Sequence, residues 1–191
     1  MSAQKGHAAA LNVLIGARAD VNKAKNTGAT PSSVSAQKGH AAVLNVLIGA
    51  RADVDIATDI DVTPSLVSAQ KGHAAVLNVL IGARADVSTE RARRCFVNKP
   101  TNVGVTPSLA SAHEGHAAVL NVLISARADV RKAMNTGATP SFVSAQEGHA
   151  AVLDVLIGAR ADVDIAMDDG ATPSLMSAVT GHTTVLNVLI G

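Results

Sequence analysis

The sequence predicts an all-α solenoid of stacked helix pairs with short hairpin loops between them, and three observations support that fold class. The dipeptide Gly-His occurs six times in 191 residues, at steps of 33, 33, 43, 33 and 33 residues. The tripeptides Thr-Pro-Ser and Ala-Asp-Val each occur five times, in one fixed register with Gly-His. A largely apolar run of eight residues follows every Gly-His pair. Self-similarity at a period of about 20–50 residues is the signature of repeat architectures.

The first predicted helix of each repeat begins at the proline of Thr-Pro-Ser. In one copy, Thr30 is a good N-cap, and Pro31 takes the first helical position, where its missing N–H costs nothing. Gly39 ends the helix, because glycine readily adopts the left-handed conformation found at helix C-termini. We therefore predict a helix over Pro31–Lys38.

The second predicted helix covers about residues 41–48 and is apolar around most of its circumference. A helix of this kind must be buried on several sides. The segment 52–62 that follows is short and polar, which indicates an extended hairpin before the next helix pair. Isolated helices below about 12–15 residues are marginal in water, so the repeats must stack to be stable.

The chain is predicted to be one array over residues 1–191. Ten extra residues in the third step predict a protruding loop near 88–97, because Val97-Asn98-Lys99 resembles Val21-Asn22-Lys23 and restores the register. The outer faces of the partial end repeats are apolar, which indicates a section of a longer array or one with uncapped ends. The predicted repeats are 1–26 (partial), 27–59, 60–102 (with the insertion), 103–135, 136–168 and 169–191 (partial).

Composition argues against several classes of function. The net charge of +1 gives no general attraction to nucleic acid, and without Tyr or Trp the chain lacks platforms for stacked bases. No apolar stretch approaches the roughly 20 residues of a membrane span. The run at 8–15 resembles a secretory signal, but it recurs inside the chain and is therefore structural. Cys95 is the only cysteine, so no internal disulfide can form, and we predict an intracellular, cytoplasmic protein.

Catalysis and metal binding are not predicted either. The Gly-His histidines would lie in adjacent repeats about 10 Å apart, too far for shared coordination at about 2 Å. We interpret them as bonded to nearby backbone. Ser, His and Asp recur in every repeat, whereas an active site is singular, and Cys95 has no unique His or acid beside it. The segment His113-Glu114-Gly115-His116 lacks the spacing of a zinc-protease helix. We predict no cofactor and no small-molecule substrate.

The combination of motifs resembles the ankyrin repeat family over essentially the whole chain. It comprises Gly-Ala-Thr-Pro, Ser-Ala-Gln-x-Gly-His, Val-Leu-x-Val-Leu-Ile and Ala-Asp-Val-Asp at a 33-residue period. Two departures stand out. The family's Thr-Pro-Leu-His becomes Thr-Pro-Ser followed by Ser33, Leu66, Leu109, Phe142 or Leu175. The family's glycine after the second helix lets the chain take positive φ, so the resemblance implies left-handed arginines at its replacements Arg18, Arg51, Arg84, Arg127 and Arg160.

The resemblance also implies a protein-protein interaction scaffold that binds through its concave face. In this family the hairpin tips and the last turn of the first helix line that face, and the repeats differ most from one another there. Drift at unconstrained surface positions is the alternative explanation. The tip positions are Asn26, Thr27, Asp59, Ile60, Asn102, Val103, Asn135, Thr136, Asp168 and Asp169. The helix-end positions are Gln37, Lys38, Gln70, Lys71, His113, Glu114, Gln146 and Glu147.

Charge changes along the helix-end positions from Lys38 and Lys71 to Glu114 and Glu147. A protein partner of the opposite polarity would be favoured, mainly through orientation and association rate. The alternative hypothesis is a structural spacer, or a fragment of a longer ankyrin-containing protein, with no partner of its own. The near-uniform repeats and the missing glycines favour that alternative.

Overall fold

A computed structural model describes residues 2–83 and 96–191, and the fold in these two ranges is all-helical as predicted. The described ranges contain twelve α-helices and no strand. The predicted insertion near 88–97, with Arg91, Arg93, Arg94 and Cys95, lies almost wholly outside them. The helices are α1 (Ser2–Lys5), α2 (Ala8–Gly16), α3 (Pro31–Lys38), α4 (Ala41–Gly49), α5 (Pro64–Gln70), α6 (Ala74–Ala83), α7 (Pro107–His113), α8 (Ala117–Ser125), α9 (Pro140–Glu147), α10 (Ala150–Gly158), α11 (Pro173–Val179) and α12 (Thr183–Ile190).

The chain divides into two compact halves, Met1–Phe96 and Val97–Gly191. In the N-terminal half, the first helices of successive repeats, α1, α3 and α5, pack side by side. The second helices α2, α4 and α6 form another layer behind them. The C-terminal half has the same arrangement, with α7, α9 and α11 in one layer and α8, α10 and α12 in the other.

The first helices begin and end as the sequence predicts. The side chain of Thr30 accepts a hydrogen bond from the backbone N–H of Ser33, and Gly39 has φ 75° at the C-terminus of α3. The threonine of each other Thr-Pro-Ser also accepts from the N–H three residues on. Local residue chemistry therefore sets the first helix of each of these repeats.

The second helices end in a left-handed arginine. Helix α4 runs to Gly49, one residue beyond the predicted end, and Arg51 has φ 62°. The N–H of Arg51 bonds to the carbonyl of Ile48 at 2.8 Å, and the N–H of Ala52 bonds to that of Leu47 at 2.9 Å. These two bonds form the Schellman motif, which glycine normally completes. Arg18, Arg127 and Arg160 also have positive φ, which confirms the expectation at these positions, whereas Arg84 lies outside the described residues.

Glycine in place of these arginines is expected to stabilise the fold modestly. The left-handed conformation costs a non-glycine residue about 1–2 kcal/mol. Glycine removes that strain but adds unfolded-chain entropy and deletes a cation near the helix C-terminus, each worth up to about 1 kcal/mol. We therefore expect the variant Arg51→Gly/Arg127→Gly/Arg160→Gly to gain about 1 kcal/mol in total, measured by urea unfolding.

The matched control places glycine one residue earlier, as Ala50→Gly/Ala126→Gly/Ala159→Gly. These alanines have φ of −86°, −84° and −83°, so glycine relieves no strain there. The urea midpoint should fall. A midpoint that also falls for the arginine variant would show that the left-handed arginines are not strained.

In each half, the core is a column of aliphatic side chains from the second helices. In α4, Val43, Leu44 and Leu47 are fully buried, and the equivalent residues of α6, α8 and α10 are too. The residues that replace the family's histidine are also apolar and buried at Leu66, Leu109 and Phe142. The serines at the preceding position differ from repeat to repeat. Ser32 Oγ and Ser108 Oγ are buried with no hydrogen-bond partner among the described residues, whereas Ser65 Oγ pairs with Thr63 Oγ1 at 3.0 Å and Ser141 Oγ donates to Asp162 O at 3.3 Å. The departures from Thr-Pro-Leu-His thus extend the apolar core at the histidine position and leave two of the described hydroxyls buried and unpaired at the leucine position before it.

The Gly-His histidines connect successive repeats. His40 Nε2 donates to the carbonyl of Gln4 at 3.2 Å, and His73 Nε2 donates to that of Gln37 at 3.2 Å. In the C-terminal half, His149 and His182 bond in the same way to carbonyls 36 residues earlier, both at 3.0 Å. The histidines do bond to backbone, but the acceptor belongs to the preceding repeat rather than to the same linker.

Candidate functional site

A groove lies between two hairpins and two first helices in the N-terminal half. We call it the α3–α5 groove, and its volume is about 610 Å³. The hairpins cover about residues 25–29 and 58–62. The groove is lined by Lys25, Asn26, Thr27, Ala29, Ser33, Val34, Gln37, Thr58, Asp59, Ile60, Val62, Val67 and Gln70.

The two hairpins are held against each other by backbone contacts. Each hairpin is closed by a backbone bond, from Lys25 N to Ala29 O at 2.9 Å and from Thr58 N to Val62 O at 3.0 Å. Asp59 N then bonds to Thr27 O of the neighbouring tip at 3.3 Å. Because each first helix starts directly after its hairpin, hairpin and helix form two walls of one groove.

The groove combines an aliphatic surface with a polar rim. Val34, Val62 and Val67 lie on its walls, and Ile60 projects from a hairpin tip with 76% of its surface exposed. A contiguous apolar surface rimmed by polar groups is a feature of interaction sites. The amide of Gln37 is among the polar groups of the rim.

Six of the predicted site residues in this half line the groove together: Asn26, Thr27, Gln37, Asp59, Ile60 and Gln70. Lys38 and Lys71 do not line it, but are exposed at the ends of α3 and α5. The comparison of repeats did not identify the other lining residues, which are Lys25, Ala29, Ser33, Val34, Thr58, Val62 and Val67. It considered differences between repeats, and the valines at 34 and 67 are the same in both. Helical spacing could have identified Val34, because it lies three residues before Gln37 and therefore on the same helix face.

The predicted site residues of the C-terminal half are also at the surface. Asn135 joins adjacent tips, since its N–H bonds to Val103 O at 3.2 Å and its side-chain amide to Asn102 O at 3.1 Å. Val103 is 51% exposed. The other tip residues, Thr136, Asp168 and Asp169, are exposed. At the helix ends, His113, Glu114 and Glu147 are exposed and Gln146 is partly exposed.

The polar residues that recur in each repeat hold the fold together. Ser35 Oγ donates to Pro31 O at 2.7 Å, and Asp53 Oδ1 accepts from Asp55 N at 2.8 Å. Asn22 Oδ1 accepts from Asp53 N at 2.8 Å, and Asn98 Oδ1 accepts from Asp129 N at 2.7 Å. Among the residues that the structure describes, no group of three or more His, Cys, Asp or Glu could hold a metal ion. Over the same ranges, no helix is both long enough and apolar enough to cross a membrane.

Residues 97–191 match the family model described as ankyrin repeats, in three copies. The chain is an ankyrin repeat protein. Its fold resembles the crystal structure of an ankyrin repeat domain from Acinetobacter baumannii AYE, with a TM-score of 0.82 and 22% sequence identity. That similarity covers 100% of this chain and 94% of the other. No curated protein sequence matches the chain significantly.

Ankyrin repeats generally serve as protein-interaction modules, and the repeats here present two kinds of surface. The second helices expose polar residues such as Asn45, Asn78 and Asn121, together with single aliphatic side chains such as Ile157. The hairpin tips expose Ile60 and, together with the first helices, form the α3–α5 groove. We refer to these as the convex and concave surfaces, the names used for ankyrin repeats.

Proposed function

We propose that this ankyrin repeat protein binds a partner protein through the concave surface, without catalysis or a cofactor. The observation that carries this proposal is the α3–α5 groove, which has room for several side chains of a partner. A typical interface combines an apolar centre with a polar rim. The groove offers both, with Ile60, Val34 and Val67 as the apolar part and Asn26 and Gln37 at the rim.

The absence of catalysis is supported by what the recurring Ser, His and Asp side chains do. The hydroxyl of Ser35 donates to a carbonyl of its own helix, and the ring of His73 donates to a carbonyl of the preceding repeat. The carboxylate of Asp53 accepts a backbone N–H. A nucleophile and its base need to face each other within hydrogen-bond reach. These side chains are instead bonded to backbone in a pattern that repeats along the chain.

Removing the apolar centre of the groove is expected to weaken binding. Proteins captured by the immobilised chain from a lysate of its source organism would be identified, purified and titrated by calorimetry. Burying a side chain such as isoleucine is worth about 1.5–3 kcal/mol. The variant Ile60→Ser/Gln37→Ala should therefore bind a genuine partner at least tenfold more weakly, with an unchanged urea midpoint.

The matched control is Asn45→Ala/Asn78→Ala on the second helices α4 and α6, where both residues are exposed. This variant should bind with unchanged affinity. Loss of affinity in the control and full affinity in the groove variant would place the interface on the convex surface and contradict the proposal.

A further inference from the structure

We propose that the α3–α5 groove takes an amphipathic helix whose aliphatic stripe is bounded by acidic residues on one flank and basic residues on the other. This inference rests on the proposed function and specifies the chemistry of the partner. Three features of the groove carry it: an aliphatic surface along its centre, a basic margin on one side and an acidic margin on the other.

The basic margin is the C-terminal end of the first helices. Lys38 ends α3 and Lys71 follows α5, and both side chains are exposed. Helix α3 begins at Pro31, beside the hairpin, and has eight residues. At 1.5 Å per residue, Lys38 therefore lies about 10 Å from the hairpin side of the groove.

The acidic margin is the tip of the second hairpin. Asp59 and Asp61 flank Ile60 there, and all three residues are exposed. Asp61 has φ 59°, a conformation that glycine supplies at the other tips, including Gly28. Aspartate is one of the few non-glycine residues that adopt this conformation, and here it adds a charge that the glycines lack. Lys25, on the preceding hairpin, contributes one cation to the groove lining.

An occupant of this groove must present three parallel stripes: acidic, aliphatic and basic. An extended strand directs its side chains alternately to two opposite faces, so it offers one stripe to the groove. An α-helix presents several stripes around its circumference, and its diameter of about 10–12 Å is close to the length of α3, the helix that forms one wall of the groove. The charge arrangement therefore favours a helix over an extended segment.

The C-terminal half does not repeat this pattern. The positions equivalent to Lys38 and Lys71 carry Glu114 and Glu147 there, and the latter lies within hydrogen-bond distance of Gln146 at 3.1 Å. A helix with an acidic flank would meet repulsion at these glutamates. The proposed specificity therefore belongs to the N-terminal half.

The test uses the full chain and two displayed peptide libraries. The first library is a single helix of about 18 residues with randomised stripe and flank positions. The second has the same composition with a central proline, which breaks the helix. We expect enrichment from the first library only, with Leu, Ile or Val in the stripe, Asp or Glu on one flank and Lys or Arg on the other.

The charge assignment is tested with enriched peptides made synthetically and titrated by fluorescence anisotropy. Lys38→Glu/Lys71→Glu should weaken binding about tenfold, and raised salt should reduce that difference. Asn45→Ala/Asn78→Ala should change nothing. Binders from the proline library, binders without opposite flanks, binders unaffected by the lysine changes, or no binders at all would each overturn this inference. A captured natural partner that still depends on Ile60 and Gln37 would then leave the proposed function standing.

Discussion

Replacing Gly104 with alanine is expected to lower the free energy of unfolding by about 3 kcal/mol, from two separate costs. Gly104 has φ 88°, where a side chain is strained. A Cβ atom there would lie 2.8 Å from both Asn135 N and Met134 Cα. Both contacts are backbone atoms of the neighbouring hairpin, so they cannot move aside as a flexible side chain would. The clash should push the two hairpin tips apart and break the bond from Asn135 N to Val103 O.

Gly170→Ala is the matched control for this prediction. Gly170 has φ 85°, and its N–H closes a turn to Met167 O at 2.9 Å, as Gly104 N does to Thr101 O at 3.0 Å. A Cβ atom at Gly170 would meet nothing within 4 Å. Alanine at this position therefore adds only backbone strain, and we expect the free energy of unfolding to fall by about 1–2 kcal/mol. The measurement is urea unfolding followed by far-ultraviolet circular dichroism, and equal losses would contradict the close approach of the hairpins.

Leu153→Ala is expected to destabilise the fold by about 3–4 kcal/mol. Leu153 lies in α10, is fully buried and belongs to an aliphatic cluster with Leu120, Leu156 and Val185. Alanine would remove apolar contacts and leave a cavity. The bonds from His149 to His113 O and from His182 to Gln146 O hold the neighbouring repeats in place, so the site relaxes only partly. The neighbouring repeats also lose stability, since each repeat is stabilised mainly by its contacts with its neighbours.

Leu186→Ala provides the comparison at the same repeat position, 33 residues later. Leu186 lies in α12 and is partly exposed, so alanine there returns less surface to water. We expect a smaller loss than for Leu153→Ala, because less apolar area returns to water and the partly open site leaves a smaller cavity. Equal shifts of the urea midpoint would show that burial in the stack does not determine the contribution of these leucines.

Local chemistry made the helices predictable. The threonine caps, the prolines and the helix-ending glycines act within a few residues, so α3 begins and ends where the sequence predicts. The left-handed arginines were also predictable, from the resemblance, because the family's glycine marks where the backbone takes positive φ. Arg51 departs from the family in residue type but not in backbone conformation.

Contacts between repeats were harder to predict, because they depend on how far one repeat is offset from the next. The acceptor of His73 is a carbonyl 36 residues earlier, not one in its own linker. The lining of the groove was also only partly predictable, for the same reason. Comparing repeats identified Gln37 and Ile60 as site candidates, but Val34 and Val67 became visible only when α3 and α5 were placed beside the hairpins.

By itself, the sequence determined the repeat period, the helix pair within each repeat and the family, because these follow from residue spacing and from interactions within one repeat. Only the tertiary structure decided which polar and aliphatic side chains share one groove, and which backbone atoms lie too close to Gly104 and Gly28 for any larger residue. These features arise between repeats, at distances set by stacking of the buried leucines.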